Sequence, residues 1–193
     1  MDKTALAAIA SVLAALGPVF AQAQTPAAAP ASGPRILAET GPSPSFKFYA
    51  GSNFDDVART TNVPEMLTRI GLRDPAAEIS LAIAKDLAKR KAGSLVPAGP
   101  ADYTVTVTSD VWSAGYFVPF RPTYNLSYSA ELKVTDASGA VVKSGACQVN
   151  PDDTDSAGGN DMLIAHGGRK LKEIYAKAAD TCVRILLTKI KSL

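Results

Sequence analysis

Two stretches of strict alternation limit the folds open to this chain. Tyr103-Thr104-Val105-Thr106-Val107-Thr108 alternates apolar and polar residues, and Tyr124 to Val134 does so for eleven residues. A side-chain period of two gives each strand one apolar and one polar face. Such strands pair as an antiparallel sheet with one face buried and the other in water. The apolar face needs a cover, and the helical periodicities elsewhere supply one. The fold class expected is therefore α+β, an antiparallel sheet of three to four strands with two main helices packed on one face.

The chain begins with what reads as a removable leader. Lys3 gives a positive start, Ala5 to Leu16 is apolar apart from Ser11, and Gly17-Pro18 ends the run. Val19-Phe20-Ala21 and Ala21-Gln22-Ala23 both fit a small-x-small cleavage site, so residues 1–23 read as a secretory signal peptide cut near Ala21 or Ala23. The apolar run is shorter than the roughly 20 residues needed to span a bilayer. No later run reaches that length, so no transmembrane segment is expected in the mature chain. Residues 24–45, rich in Ala, Pro, Ser and Gly, read as a disordered or loosely extended linker. Arg35 to Glu39 could interrupt it as a short edge strand. Residues 46–193 are expected to form a single α+β domain.

Within that domain Asp74-Pro75 starts a helix, with Asp74 accepting from free amides and Pro75 at the first helical position. The helix runs to about Lys91 with Ala77, Leu81, Ala84, Leu87 and Ala88 as its apolar stripe. A shorter helix carries Met66, Leu67 and Ile70. The first strand runs from Tyr103 to about Trp112, with Tyr103, Val105, Val107 and Val111 inward and Ser113 to Pro122 as a long connection. The second strand turns sharply at Asp136-Ala137-Ser138-Gly139, where Gly139 suits a positive φ. The third, Val141 to Val149, needs a bulge at Gly145 if Cys147 faces inward and Lys143 does not. Leu171, Ile174, Tyr175, Ala178, Cys182 and Ile185 stripe the last helix.

Cys147 and Cys182 are an even count in a chain bound for an oxidising compartment, which favours a disulfide between them. Ala101-Asp102-Tyr103, Tyr128-Ser129-Ala130, Gly145-Ala146-Cys147, Leu171-Lys172 and Ala179-Asp180-Thr181-Cys182 occur in that order. Together they resemble a group of small exported proteobacterial envelope proteins, many of them lipoproteins, described as of unknown function. The resemblance covers roughly Pro75 to Leu193. It implies an envelope location and a disulfide, and supplies no activity. This chain has no cysteine just after its leader at which a lipid could be attached.

Few residues carry chemistry. Net charge is +2 at pH 7, too balanced to imply nucleic acid as a partner. His166-Gly167-Gly168 looks like an oxyanion-hole turn, but no Gly-x-Ser-x-Gly nucleophile accompanies it, and His166 is the sole histidine. Asp152-Asp153-Thr154-Asp155 starts like a calcium loop, yet Ala157 and Ile164 stand where ligands belong. A Cys–His enzyme would need His166 beside a free thiol, against the disulfide reading. No metal or cofactor is therefore expected, and no catalytic residue is assigned. The candidate binding segment is 112–122, where Trp112, Tyr116, Phe117 and Phe120 cluster with Arg121 in a chain only 7% aromatic. Aromatic residues and Arg dominate interface hot spots. The sequence thus reads as a periplasmic or secreted interaction module for an envelope protein or polymer. A small-ligand carrier and a hydrolase of an envelope polymer are the alternatives.

Overall fold

A computed structural model describes residues 33–50, 63–117, 123–150, 152–153 and 160–193. The signal-peptide assignment and residues 24–32 of the linker lie outside these. The elements in chain order are β1 (Arg35–Thr40), β2 (Lys47–Ala50), α1 (Val63–Ile70), α2 (Ala76–Arg90), β3 (Ser94–Val96), β4 (Tyr103–Phe117), β5 (Thr123–Asp136), β6 (Val141–Val149), β7 (Asp152–Asp153) and α3 (Asn160–Lys189). The class is α+β, as expected.

The sheet departs from the expected antiparallel set of three to four strands. It is mixed, in the order β3-β1-β4-β5-β6, with β2 also paired to β4 and β7 to β5. β4, β5 and β6 form the antiparallel meander expected from the alternation. β1 is parallel to both β3 and β4. Parallel neighbours require a long crossover, and the span between β1 and β3 holds α1 and α2. β1 is also not an edge strand: it sits between β3 and β4, and Ile36 is fully buried. The packed chain thus extends upstream of residue 46 to include Arg35–Thr40, because Ile36 and its ladder supply what the surrounding Pro, Ala and Ser cannot.

The inward positions on β5 are those of the alternation: Leu126, Tyr128, Ala130, Leu132 and Val134 are all buried. On β4 the pattern changes midway. Val105, Val107 and Ser109 are buried, then a bulge inserts Asp110, and Trp112 and Ala114 are buried beyond it. Val111, expected inward, is 42% exposed. One extra residue in the strand moves every later side chain to the other face. β4 also runs on to Phe117, so residues 113–117 of the expected connection are strand; residues 118–122 lie outside the described residues.

In α2 the buried set is Ala76, Ile79, Ser80, Ile83, Ala84, Leu87 and Ala88. Ala77 and Leu81, placed in the stripe by the sequence, are exposed, because the face carrying both isoleucines buries more apolar surface. On α3 the stripe is as expected through Cys182, then rolls to Leu186 and Ile190, leaving Ile185 half-buried. Arg90 at the end of α2 donates to the Ile190 carbonyl at 3.2 Å, tying the two helix ends together.

In β6 the bulge lies at Val142 rather than Gly145. Gly145 pairs with Leu132, and a Cβ there would sit 3.0 Å from the Lys189 stem on α3. Its lack of a side chain lets the helix approach the strand. Lys143 shares this face and is half-buried at the sheet's end. The β5–β6 turn is as expected, with Gly139 at φ 83° and Asp136 Oδ1 accepting from Ser138 N and Ala140 N.

The Cys147–Cys182 disulfide joins β6 to α3, with a Cα–Cα distance of 5.4 Å across a separation of 35 residues. A polar chain, buried at Ser109 and Tyr128, ties the other side. Asp74 accepts from Ala76 N at 2.9 Å and from Ser109 Oγ at 2.6 Å, and also from Ser43 Oγ. Ser109 Oγ and the Tyr128 hydroxyl are 2.8 Å apart. Asp74 thus fixes the start of α2, the segment after β1 and the bulge of β4 at one carboxylate. Below the bulge, Phe46 lies edge-on to Trp112 at 5.0 Å and to Tyr175 at 6.1 Å. Tyr175 donates to the Ser113 carbonyl at 2.6 Å.

Two outcomes follow for stability. Cys147→Ala paired with Cys182→Ala is expected to lower unfolding free energy by about 3–4 kcal/mol, the chain-entropy value for a loop of this length. A urea titration beside the oxidised wild type checks it. Ser109→Ala strands the buried Tyr128 hydroxyl and is expected to cost about 1–3 kcal/mol. Adding Tyr128→Phe should recover part of that loss, because both partners are then apolar.

Candidate functional site

The segment singled out by its aromatics is split by the fold. Trp112 is 7% exposed and packs between Phe46 and Tyr175. It therefore belongs to the core, not to a contact surface, because the bulge at Asp110 turns it under the helical layer. Its Nε1 has no hydrogen-bond partner among the described residues. Tyr116 and Phe117 are strand residues: Tyr116 pairs with Tyr124 and Phe117 with Thr123. Residues 112–117 of the segment are thus part of a long strand pair with β5. Phe120 and Arg121 lie outside the described residues.

The hairpin is built by its own length. β4 and β5 have 15 and 14 residues, whereas β6 has nine and accompanies β5 only from Tyr128 to Thr135. Past Ala114 and Leu126, both buried, the two strands continue through three more residue pairs. β2 lines this part of β4 from Lys47 to Ala50, and β7 meets β5 at Tyr124 and Asn125.

The remaining candidates take structural places. Cys147 and Cys182 are bonded to each other, so neither is a thiol nucleophile. His166, Gly167 and Gly168 have φ values of 52°, 69° and 70°, in the left-handed region. A Cβ on Gly168 would come within 2.8 Å of Ile70, so this stretch lets α1 pack closely on α3. His166 is exposed and no described nucleophile accompanies it. Asp152 and Asp153 sit in β7; Thr154 and Asp155 lie outside the described residues. Among the described residues no three His, Cys, Asp or Glu side chains converge as metal ligands would.

Ser109, Asp74 and Tyr128 have the makings of a nucleophile, an acceptor and a proton donor, a grouping that spacing in the sequence did not reveal. Ser109 is 4% exposed and Tyr128 1%, so no substrate reaches the hydroxyls. Burial pushes the Tyr128 hydroxyl well above the usual tyrosine range, which the Ser109 hydrogen bond only partly opposes. Burial likewise raises Tyr175. Both stay neutral donors, which suits structural roles.

The uncovered face of the sheet carries Thr104, Thr106, Thr108, Ser127 and Ser129, all half-buried. Asp110 projects from the bulge near Glu131 and Lys133. Desolvation pushes the Asp110 carboxyl up, Glu131 adds to the rise, and Lys133 opposes it. Glu131 and Lys133 are 3.9 Å apart and both exposed, a pair in water rather than in a cleft. Among the described residues this face carries hydroxyls and one exposed ion pair, and no enclosed pair of carboxylates of the kind most glycoside hydrolases use. No helix of the described residues is long and apolar enough to cross a membrane.

No family model matches the chain, and no curated protein matches it. Among solved structures it is similar to a protein from Xanthomonas campestris described under DUF330, at 14% identity and a TM-score of 0.43, covering 86% of this chain and 91% of that one. It is similar to the rare lipoprotein B from Shewanella oneidensis, at 13% identity and a TM-score of 0.38, covering 74% of this chain and 93% of that one. It is also similar to a minor lipoprotein from Acinetobacter baumannii, at 6% identity and a TM-score of 0.37, covering 78% and 87%. At such identities and TM-scores the likeness assigns neither a family nor an activity to this chain.

Proposed function

We propose that this chain is an exported, non-enzymatic protein of the bacterial cell envelope. It acts as an interaction module that docks on an envelope protein or polymer through the far end of its long hairpin. Tyr116, Phe117, Phe120 and Arg121 make the contact, and Trp112 supports the hairpin's base from within the core. The observation that carries this reading is the length of β4 and β5, which run three residue pairs beyond the buried Ala114 and Leu126. Tyr116 and Phe117 fall in that extension, and Phe120 and Arg121 follow it in the sequence. Aromatic side chains and Arg bring large contact area with few rotatable bonds, which suits a docking tip.

Export is supported by the apolar leader with its small-x-small sites and by the disulfide between Cys147 and Cys182.

A photo-activatable residue in place of Phe117, irradiated in the native envelope and read by mass spectrometry, tests the docking role. A single recurrent adduct is the expected result. Phe117→Ala with Phe120→Ala should leave the urea midpoint within about 0.5 kcal/mol of the wild type and abolish capture of that partner. Unfolding of the double variant would instead make these rings part of the core and end the reading.

A further inference from the structure

The opposite end of the β4–β5 hairpin carries a second feature, independent of the aromatic tip. A groove of about 790 Å³ opens there, bounded by Pro34, Lys91, Asp102, Tyr103, Asp136 and Ser138. It is open to solvent along its length, with Asp102 and Ser138 exposed. It is assembled from four parts of the chain: the approach to β1, the end of α2, the start of β4 and the β5–β6 turn. Tyr103 and Asp136 are register partners, and Asp102 is the residue just before Tyr103, so both carboxylates come from the same end of the β4–β5 pair.

Three charged groups line this groove, and none of them makes an ion pair among the described residues. Each is held in another way. Asp102 Oδ2 accepts from Arg35 N at 2.7 Å. Asp136 Oδ1 accepts from Ser138 N, Ser138 Oγ and Ala140 N, at 2.9, 2.6 and 3.1 Å. These bonds fix both carboxylates through one oxygen, and the other oxygen of each has no hydrogen bond among the described residues. Hydrogen bonding by Ser138 also holds the Asp136 carboxyl below the usual carboxylate range, so it is ionised at neutral pH. Lys91 rests its ammonium 5.0 Å from the centre of the Tyr103 ring. An exposed contact of this kind is weak, so the ammonium is free to turn toward a stronger partner.

A simple anion entering the groove would meet two carboxylates, and a simple cation would meet Lys91. A ligand with both charges satisfies all three groups. We propose that this groove binds a small zwitterion, a primary ammonium and an acidic group on one short molecule. Asp102 and Asp136 receive the ammonium, Lys91 receives the acidic group, and Tyr103 and Ser138 line the space between.

The test is an amide-resolved NMR titration of the whole oxidised chain with O-phosphoethanolamine and, separately, with D-alanine. Ethanolamine and inorganic phosphate serve as single-charge controls. The expected result is saturable shifts at Asp102, Tyr103, Asp136 and Ser138 with at least one zwitterion, and binding of each control at least about tenfold weaker. A phosphate preference or a carboxylate preference is read from which zwitterion is the tighter. Lys91→Gln and Asp102→Asn should each weaken the zwitterion about tenfold. The asparagine still has an oxygen to accept from Arg35 N, so the fold is kept, and the urea midpoint verifies this. Absence of saturable shifts with both zwitterions overturns the proposal. So do shifts centred elsewhere, a control that binds as tightly, or a Lys91→Gln variant with unchanged affinity.

Discussion

The bulge at Asp110 sets what β4 can bury, and the rest of the molecule is fitted to that switch. Before it, Val105 and Val107 face α2 as the alternation dictates. After it, Trp112 and Ala114 face the same side, and Tyr175 and Phe46 close over them. A bulge exposes backbone and unpairs a residue, so it needs support. The support is polar: Ser109, the last residue before the switch, bonds to Asp74 and meets Tyr128. Asp74 in turn receives the first turn of α2 and the chain leaving β1. One carboxylate therefore coordinates the strand irregularity, the helix start and the crossing segment, and the aromatic cluster packs directly below it.

Much of this was legible in the sequence. The alternation of Tyr124 to Val134 named the inner face of β5 residue by residue, because a regular strand with one buried face leaves no freedom in its period. Asp74-Pro75 marked the start of α2 and Asp136 to Gly139 the turn, because both signals are local chemistry. The cysteines declared their pairing by number and compartment. Other features were not legible for a common reason: each depends on a partner distant in the chain. Arg35–Thr40 becomes an interior strand only because β3 and β4 flank it, and its own composition gives no sign of that. The phase error in α2 arose because Ala77 and Leu81 also fit a helical stripe, and the face with Ile79 and Ile83 buries more apolar surface against the sheet. Val111 and Trp112 are both apolar, so nothing local reports the extra residue between Ser109 and Val111.

The candidate site fared less evenly for the same reason. The aromatic residues at 112–120 are conspicuous in the sequence, but a strand extension and a loop have the same composition. Trp112 belongs with the core and Tyr116 with a strand pair facing Tyr124. The charged groove at the other end has no sequence signature at all. Its residues come from four segments, and Asp102 and Asp136 look like ordinary turn residues until the register places them at the same end of the β4–β5 pair. The long hairpin thus has distinct chemistry at its two ends, aromatic at one and charged at the other, joined by a core in which, among the described residues, Trp112 Nε1 is the buried side-chain polar atom without a partner.

The interior position of β1 has a consequence for how the molecule is assembled. The chain is made from its N-terminus, so Arg35–Thr40 exists before either of its neighbours. The β4–β5–β6 meander can form from adjacent segments, since each turn joins strands close in sequence. β1 must wait for β4, whose first paired residue is Tyr103, opposite Ile36. Non-local and parallel pairing of this kind is intrinsically slow, because chain closure has to precede any contact that rewards it. Until then a strand with Ile36 and Leu37 uncovered and its amides unpaired stays available to any other strand it meets. The slowest and most vulnerable moment in the life of this chain is therefore the insertion of its first strand between β3 and β4.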